Sequence, residues 1–257
     1  MPRTFQKIVF SKKRKKNYLL VIPNLNEGLE LKKLIKKIFF FKINNLVDVL
    51  VVDGESSDNS IDSSFLKKKI STLIVIKNNT GLSRQLQYAY SFSKKNNYFA
   101  TITIDGNGKD DPRKIINFIK KIEDGYDFVQ GSRFIKGGKE LYTPLLRIFA
   151  IRFIHAPILS FFSGFKWTDT TQGFRCYKNI LFKDYNLDIF RNVFQKYELL
   201  AYLNYKVPRL NYKCVEIPTN RIYKKNIGAQ NSKIKGIFGY WVIFKTLIKA
   251  CLGLFDK

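Results

Sequence analysis

The sequence predicts an α/β protein, a mostly parallel sheet with helices packed on both faces. Three observations predict it. Short apolar runs alternate with helical patterns through the first half of the chain. Those runs have almost no polar interruption, as strands covered on both faces require. Acids, Asn and Gly gather where the runs end, which is where α/β sheets place their ligands.

Taken in order, Tyr18–Ile22 reads as a strand and Gly28–Phe40 as a helix. Val47–Asp53 and Leu73–Lys77 are the next strands. Gly81–Phe92 is helical because Leu82, Leu86, Ala89 and Tyr90 fall on one face. Phe99–Asp105 is a strand, and Pro112–Ile122 a helix with proline in its first turn. Asp127–Gly131 is a fifth strand. Asn26 and Ser60 suit helix N-caps. The rhythm changes after about residue 135. Pro144–Phe165 is long, aromatic and apolar, punctuated by Arg147, Arg152 and His155. Gln195–Lys206 reads as a helix and Arg209–Ile217 as a strand. Lys233–Phe255 is helical, with Trp241, Phe244, Leu247, Ile248, Leu252 and Phe255 broadly on one side. The two long C-terminal segments suit core helices, or helices lying in a membrane interface.

A length of 257 residues with 45% hydrophobic content suffices for one large core. The chain carries 46 basic and 20 acidic residues, a formal charge of +26. That excess attracts polyanions, anionic lipid or phosphorylated substrates without choosing among them. Cys176, Cys214 and Cys251 are too few and too scattered for a disulfide framework or a zinc motif. They fit a reducing, cytosolic setting. The single His155 lies in an apolar segment and reads as packed, so histidine-based mechanisms lose weight. The apolar run behind the basic N-terminus is too short for a secretory signal. No uninterrupted apolar span reaches the roughly 18 residues of a standard transmembrane helix.

The most informative stretch is Ile102-Thr103-Ile104-Asp105-Gly106-Asn107-Gly108-Lys109-Asp110-Asp111-Pro112. A strand ending in an acid, followed by a Gly-rich acidic turn, delivers oxygen ligands to a divalent cation. Capping beside Pro112 is the structural alternative for Asp110 and Asp111. Two other strand ends carry polar groups, Pro23-Asn24-Leu25-Asn26-Glu27 and Asp53-Gly54-Glu55-Ser56-Ser57-Asp58. Neither a G-x-G-x-x-G turn nor a G-x-x-x-x-G-K-[ST] loop is present, which disfavours dinucleotide and P-loop folds.

P-x-x-N-E after the first strand, V-V-D-x-x-S-x-D after the second and D-x-[DN] after the fourth resemble inverting family-two glycosyltransferases of the GT-A fold. Val129-Gln130-Gly131-Ser132-Arg133-Phe134 resembles the G-S-R-[FY] strand of the polyprenyl-phosphate sugar transferases, a group that includes dolichyl-phosphate mannosyltransferase. Asp169-Thr170-Thr171-Gln172-Gly173-Phe174-Arg175-Cys176-Tyr177 resembles that group's D-x-T-S-G-F-R-x-Y, with Gln172 in place of serine. Tyr197-Glu198, Val215-Glu216-Ile217-Pro218 and Arg221 follow in order.

The resemblance implies a Rossmann-like GT-A domain over residues 18–235, preceded by a basic segment (1–17) and followed by an amphipathic membrane-surface helix (236–257). It implies a UDP- or GDP-linked sugar donor and transfer with inversion to a polyprenyl phosphate at the cytosolic face of a membrane. Pro23, Asn26, Glu27, Asp53, Arg84 and Asp105 would bind the donor nucleotide. Asp105 and Asn107 would hold Mg²⁺ or Mn²⁺. Asp169, Arg175 and Arg221 would be catalytic, and Arg133, Gln172 and Lys233 would meet the acceptor or its phosphate. Because the chain stops at Lys257, attachment to the membrane would be peripheral. Asn107 stands where the group has a second acid. At an effective dielectric of ~20, one charge interaction at ~4 Å is worth roughly 4 kcal/mol. Metal affinity should therefore be weaker unless Asp110 or Asp111 compensates. A transferase to a sugar hydroxyl, with Asp169 as base, and a non-catalytic basic module binding RNA or membranes are the rival readings. Nucleic acid is not expected as a partner, because the aromatics lie in apolar runs and not among the basic residues.

Overall fold

The computed structural model describes residues 6–77, 81–223 and 236–256. The strands are β1 (Gln6–Ser11), β2 (Tyr18–Asn24), β3 (Val47–Asp53), β4 (Thr72–Ile76), β5 (Ala100–Thr103), β6 (Phe128–Ser132), β7 (Lys139–Leu141), β8 (Arg175–Lys178), β9 (Cys214–Pro218) and β10 (Asn220–Ile222). The helices are α1 (Leu29–Phe40), α2 (Ser63–Lys69), α3 (Leu82–Lys95), α4 (Ile115–Glu123), α5 (Leu145–Phe149), α6 (Ala156–Ser163), α7 (Glu198–Arg209) and α8 (Gly236–Cys251).

Eight strands form one sheet in the order β1-β4-β3-β2-β5-β8-β6-β9, and β7 pairs with β10 beside it. β4, β3, β2 and β5 run parallel to one another, as their unbroken apolar runs predict. β8 is antiparallel to both β5 and β6, a strand the sequence pattern does not announce because Arg175 and Lys178 bracket it. The chain winds outward from β2 through β3 to β4, then returns to place β5 on the other side of β2. The loops after β2 and β5 therefore open beside each other at a topological switch point, where such sheets bind ligands.

Alternate residues of β2 and β3 feed opposite faces. Leu20, Ile22, Val49 and Val51 pack with α1 and α4, while Leu19, Val21, Leu50 and Val52 pack with Ala89 of α3 and with Tyr98. A third cluster joins α6, α7 and α8 around Trp167, Phe194, Leu203 and Leu247. α8 thus belongs to the core through Leu247, Ala250 and Cys251, although Trp241 and Leu252 remain exposed.

Several local expectations change. Within the basic N-terminal segment, Gln6–Ser11 pairs antiparallel with β4 as an edge strand. The N-caps are Gly28 and Asp62, not Asn26 and Ser60. Asn26 instead takes a positive φ of 52° and accepts from Ser57 N, and Ser60 Oγ accepts from Asn24 Nδ2. α5 and α6 are joined by a π-helical segment, Ala150–His155. The resulting helix, Leu145–Ser163, is long and apolar enough to cross a membrane by length and composition. Leu145 and Phe161 on it are 83% and 82% exposed.

The turn from β1 into β2 is held by one carboxylate. Asp48, 5% exposed, accepts from Lys15 N (2.8 Å), Lys16 N (3.1 Å) and Tyr98 Oη (3.0 Å). Asp48→Ala is expected to cost about 2 kcal/mol, since it strands these donors. Urea denaturation measures it, and a loss within error of zero would show that water replaces the carboxylate.

Candidate functional site at the carboxyl edge of the sheet

The loop Pro23–Glu27 and the turn Asp105–Lys109 pack side by side and both line a cleft of about 1300 Å³. Close packing sets their positions. A Cβ on Gly106 would stand 3.1 Å from Pro23 O, and one on Gly173 would stand 2.4 Å from Asp105 Oδ1. Glycine at 173 is therefore what lets the β5 carboxylate sit where it does.

Asp105 Oδ2 pairs with Arg221 Nη2 at 2.9 Å. Arg221 Nη1 is in turn hydrogen-bonded to Asp110 Oδ2. Asp110 Oδ1 accepts from Gln172 Nε2 (2.7 Å), and Gln172 Oε1 accepts from Thr219 Oγ1 (3.0 Å). A β-bridge joins residues 110 and 221, which fixes the same contact through the backbone. Burial works against the Arg221 charge, but Asp110 and Asp105 outweigh it and hold the guanidinium protonated. Burial raises the pKa of Asp110, more than Arg221 lowers it. The neighbouring Asp111 does the capping, accepting from Arg113 N, while Asp110 pairs with Arg221.

Asp169 is 0% exposed and is not an available base. Its oxygens accept from Arg133 Nε (2.6 Å) and Nη2 (2.9 Å). Burial would raise its pKa, but Arg133 outweighs that and lowers it. Glu216 braces the same turn, accepting from Thr168 N (2.9 Å), Thr168 Oγ1 (2.6 Å) and Asp169 N (3.0 Å). Burial pushes the Glu216 carboxyl up to about 7.

Other sequence-predicted residues are placed away from the cleft. Arg175 is fully buried and donates to the carbonyls of Gln172, Thr170 and Leu200, so it braces the loop instead of meeting phosphate. Arg84 is also buried, donating to Gln87, Asn192 and Gln195. Asp53 accepts from Asn24 Nδ2 and from Ser56, supporting the β2 loop from beneath the lining residues. Gln172 is buried in the Asp110 network. Lys233 lies outside the described residues. Pro23, Asn26, Glu27, Asp105, Asn107 and Arg221 do line the cleft.

The cleft has a charged end and an apolar end. Lys109, Arg147, Lys196 and Arg221 line it against the carboxylates of Glu27 and Asp105. Lys109 Nζ lies 4.6 Å above the Tyr223 ring, with the Arg147 and Arg221 guanidinium carbons 6.0 and 5.8 Å from it. Among the described residues, the buried Tyr223 hydroxyl and Arg133 Nη1 make no well-formed hydrogen bond. Burial would raise the Tyr223 pKa, but Arg221, Arg147 and Arg133 bring it below its ordinary value. Ile151, Ile154, Trp241 and Phe244 line the other end. His155 Nδ1 is 2.6 Å from Thr170 Oγ1, and burial drives its pKa down to about 4, so it is neutral at physiological pH. Sequence reasoning assigned no role to Lys109, Arg147 or Tyr223. The available signals were an ammonium inside an acidic turn and an arginine interrupting an apolar helix.

The residues fit a divalent cation poorly. Asp105 is the one carboxylate of its turn and already pairs with Arg221. Asn107 is neutral, and its Oδ1 accepts from Lys109 N at 3.2 Å. Among the described residues, no group of three or more His, Cys, Asp or Glu side chains is gathered to hold a metal. Asp110 does not compensate for Asn107, because Arg221 and Gln172 take its oxygens.

A crevice at the switch point of a mixed sheet defines the class as an α/β fold that takes its ligand at the carboxyl ends of the strands. The model of the family "Glycosyl transferase family 2" matches residues 19–190, and the chain belongs to that family. A dolichyl-phosphate hexose transferase of Haloferax volcanii is 33% identical over 135 residues, covering 52% of this chain and 54% of that relative. The chain thus spans about half that relative's length. Mannosyl-3-phosphoglycerate synthase from Rubrobacter xylanophilus has a similar fold (TM-score 0.63, 14% identity, 91% of this chain and 72% of that one). So does glucosyl-3-phosphoglycerate synthase from Mycobacterium tuberculosis, crystallised with Mn²⁺, UDP and phosphoglyceric acid (TM-score 0.60, 15% identity, 92% and 78%).

Gly173→Ala is expected to displace Asp105 and weaken nucleoside-diphosphate binding roughly tenfold, read by isothermal titration with circular dichroism as the folding control. Unaltered affinity would show that Asp105 can yield without loss. Glu216 supplies a pH signature. A carboxyl raised in the folded state contributes stability fully present below its unfolded pKa and lost as pH rises through about 7. The melting temperature should fall between pH 5 and 8 and fall less in Glu216→Gln; equal slopes in the two proteins would count against a buried, ionising Glu216.

Proposed function

We propose that this family 2 glycosyltransferase moves a sugar from a UDP- or GDP-linked donor to a polyprenyl phosphate at the cytosolic face of a membrane. One observation carries the reading: a single cleft joins a cationic end to an apolar end beside the exposed helix Leu145–Ser163. A nucleotide sugar alone does not need the apolar half, and a soluble acceptor does not need the exposed apolar helix. The resemblance to the Haloferax dolichyl-phosphate hexose transferase supports the same acceptor class.

The chemistry follows from the residues. An acceptor phosphate oxygen attacks the anomeric carbon from the face opposite the leaving group. The bond from that carbon to the donor diphosphate breaks, and its electron pair leaves with the nucleoside diphosphate. A phosphate acceptor is already anionic, so no general base is required. That suits a cleft in which Asp169 is locked to Arg133 and His155 is a weak base. A sugar-hydroxyl acceptor would need a base that neither of these residues provides. Pro23, Asn26 and Glu27 would face the nucleoside, and Arg221 the diphosphate. Arg147, with Arg133 and Tyr223 close by, would face the acceptor phosphate. The family resemblance implies Mg²⁺ or Mn²⁺ at Asp105 and Asn107, a donor set that fits a divalent cation poorly. On the membrane, the apolar face of Leu145–Ser163 would enter the interface while the basic surface meets anionic headgroups.

Purified protein with labelled UDP- and GDP-sugars and vesicles containing polyprenyl phosphate should yield labelled lipid of inverted anomeric configuration. Label appearing only on a hydroxyl acceptor or on phosphoglycerate would overturn the acceptor assignment. Arg147→Ala should raise the KM for the lipid phosphate roughly tenfold and leave the KM for the nucleotide sugar unchanged.

A further inference from the structure

The turn that would receive a divalent cation is attended by cations of the chain itself. Asp105 is paired with Arg221 at 2.9 Å. Two residues on, Asn107 is a neutral amide engaged with Lys109 N. Two further on, Lys109 presents an ammonium to the cleft, half-buried and held over the Tyr223 ring. A hard divalent ion seeks several oxygen ligands, including carboxylates. Here the carboxylate of the turn is already paired with a guanidinium, Glu27 is the other carboxylate on the cleft wall, and the ion would have to displace that guanidinium and crowd an ammonium. A diphosphate finds the opposite, two fixed positive charges on the wall of its own crevice.

Arg221 is also built to serve two anions in turn. Nη1 is anchored to Asp110, while Nη2 rests on Asp105. The Nη2 edge can pass to a phosphate oxygen without loss of the anchor. Beside it, Tyr223 is buried against Arg221 on the same wall, and its hydroxyl is a donor suited to an anionic oxygen. Guanidinium and ammonium groups bind phosphate through strong charge-assisted hydrogen bonds.

We propose that Arg221 and Lys109 supply the positive charge that holds the donor diphosphate and stabilises it as it departs, so that nucleotide binding by this chain does not depend on a divalent cation. The inference rests on the nucleotide-sugar reading above. No proton is transferred in the step: both side chains stay protonated while the diphosphate takes the electron pair of the breaking bond.

The test is isothermal titration of UDP and GDP into the full chain, in excess EDTA and in excess Mn²⁺. The wild type should bind one of them with the same affinity in both. Lys109→Met, on the cleft wall, should bind roughly tenfold more weakly in EDTA. Arg221→Met should do the same, but it is buried, so Lys109→Met carries the conclusion if the other fails to fold. The double variant Asn107→Asp with Lys109→Gln restores a carboxylate and removes the ammonium. Its nucleotide binding should become Mn²⁺-dependent, with bound Mn²⁺ visible by electron paramagnetic resonance. Wild-type binding that disappears in EDTA and returns with Mn²⁺ would overturn this inference and leave the transferase reading standing. Binding of neither nucleotide under either condition would overturn both.

Discussion

The Arg221 guanidinium, clamped between Asp105 and Asp110, is the interaction on which the carboxyl edge depends. It joins the end of β5 to β10 and sets the distance between them. Asp110 is buried, and its charge is tolerable because Arg221 and Gln172 meet both oxygens. Breaking a buried pair leaves an uncompensated charge, at a cost of about 3–5 kcal/mol. The constraint reaches further through Thr219, which supports Gln172, and through the backbone bond from Ile222 N to Lys109 O. Tyr223 follows directly and forms the floor for Lys109.

A second buried pair repeats the logic one layer away. Arg133 and Asp169 are almost wholly excluded from water and bond to each other through two contacts. Glu216 and Arg175 then tie the 167–175 segment to β9 and α7. Two of the buried acids, Asp110 and Asp169, are consumed by these pairs. The excess positive charge falls to the outer surface and to the cleft wall, where an anionic ligand can answer it.

The helix Leu145–Ser163 brings the two halves of the cleft together. Its π-helical segment sets His155 against Thr170, while Arg147 reaches the charged end and Ile151 and Ile154 the apolar end. Its outward side chains, Leu145, Phe149, Phe153 and Phe161, are exposed. A single element thus borders the cationic wall, the apolar wall and the solvent.

The parallel strands, the helices between them and the loops that would face a donor were legible in the sequence because each is a local pattern. Apolar runs, 3.6-residue periodicity and acids at strand ends are set by neighbouring residues. Tyr18–Ile22 and Val47–Asp53 read as strands for that reason, and strands lie at Tyr18–Asn24 and Val47–Asp53. What each polar side chain does was not legible, since partners lie far away in sequence. Asp110 meets Arg221 across 111 positions, and Asp169 meets Arg133 across 36. Arg175, Arg84 and Asp53 have the composition of ligand-binding groups, yet the fold spends them on backbone carbonyls and loop contacts. β1 and β8 were hidden because one lies in a basic stretch and the other is bracketed by charges, so only pairing with β4, β5 and β6 makes them strands. The sequence by itself determined the parallel strands, the helices between them and the edge of the sheet where polar loops gather. The tertiary structure decided which charges are buried against each other and which face the cleft, because desolvation forces a pairing that spacing along the chain does not encode.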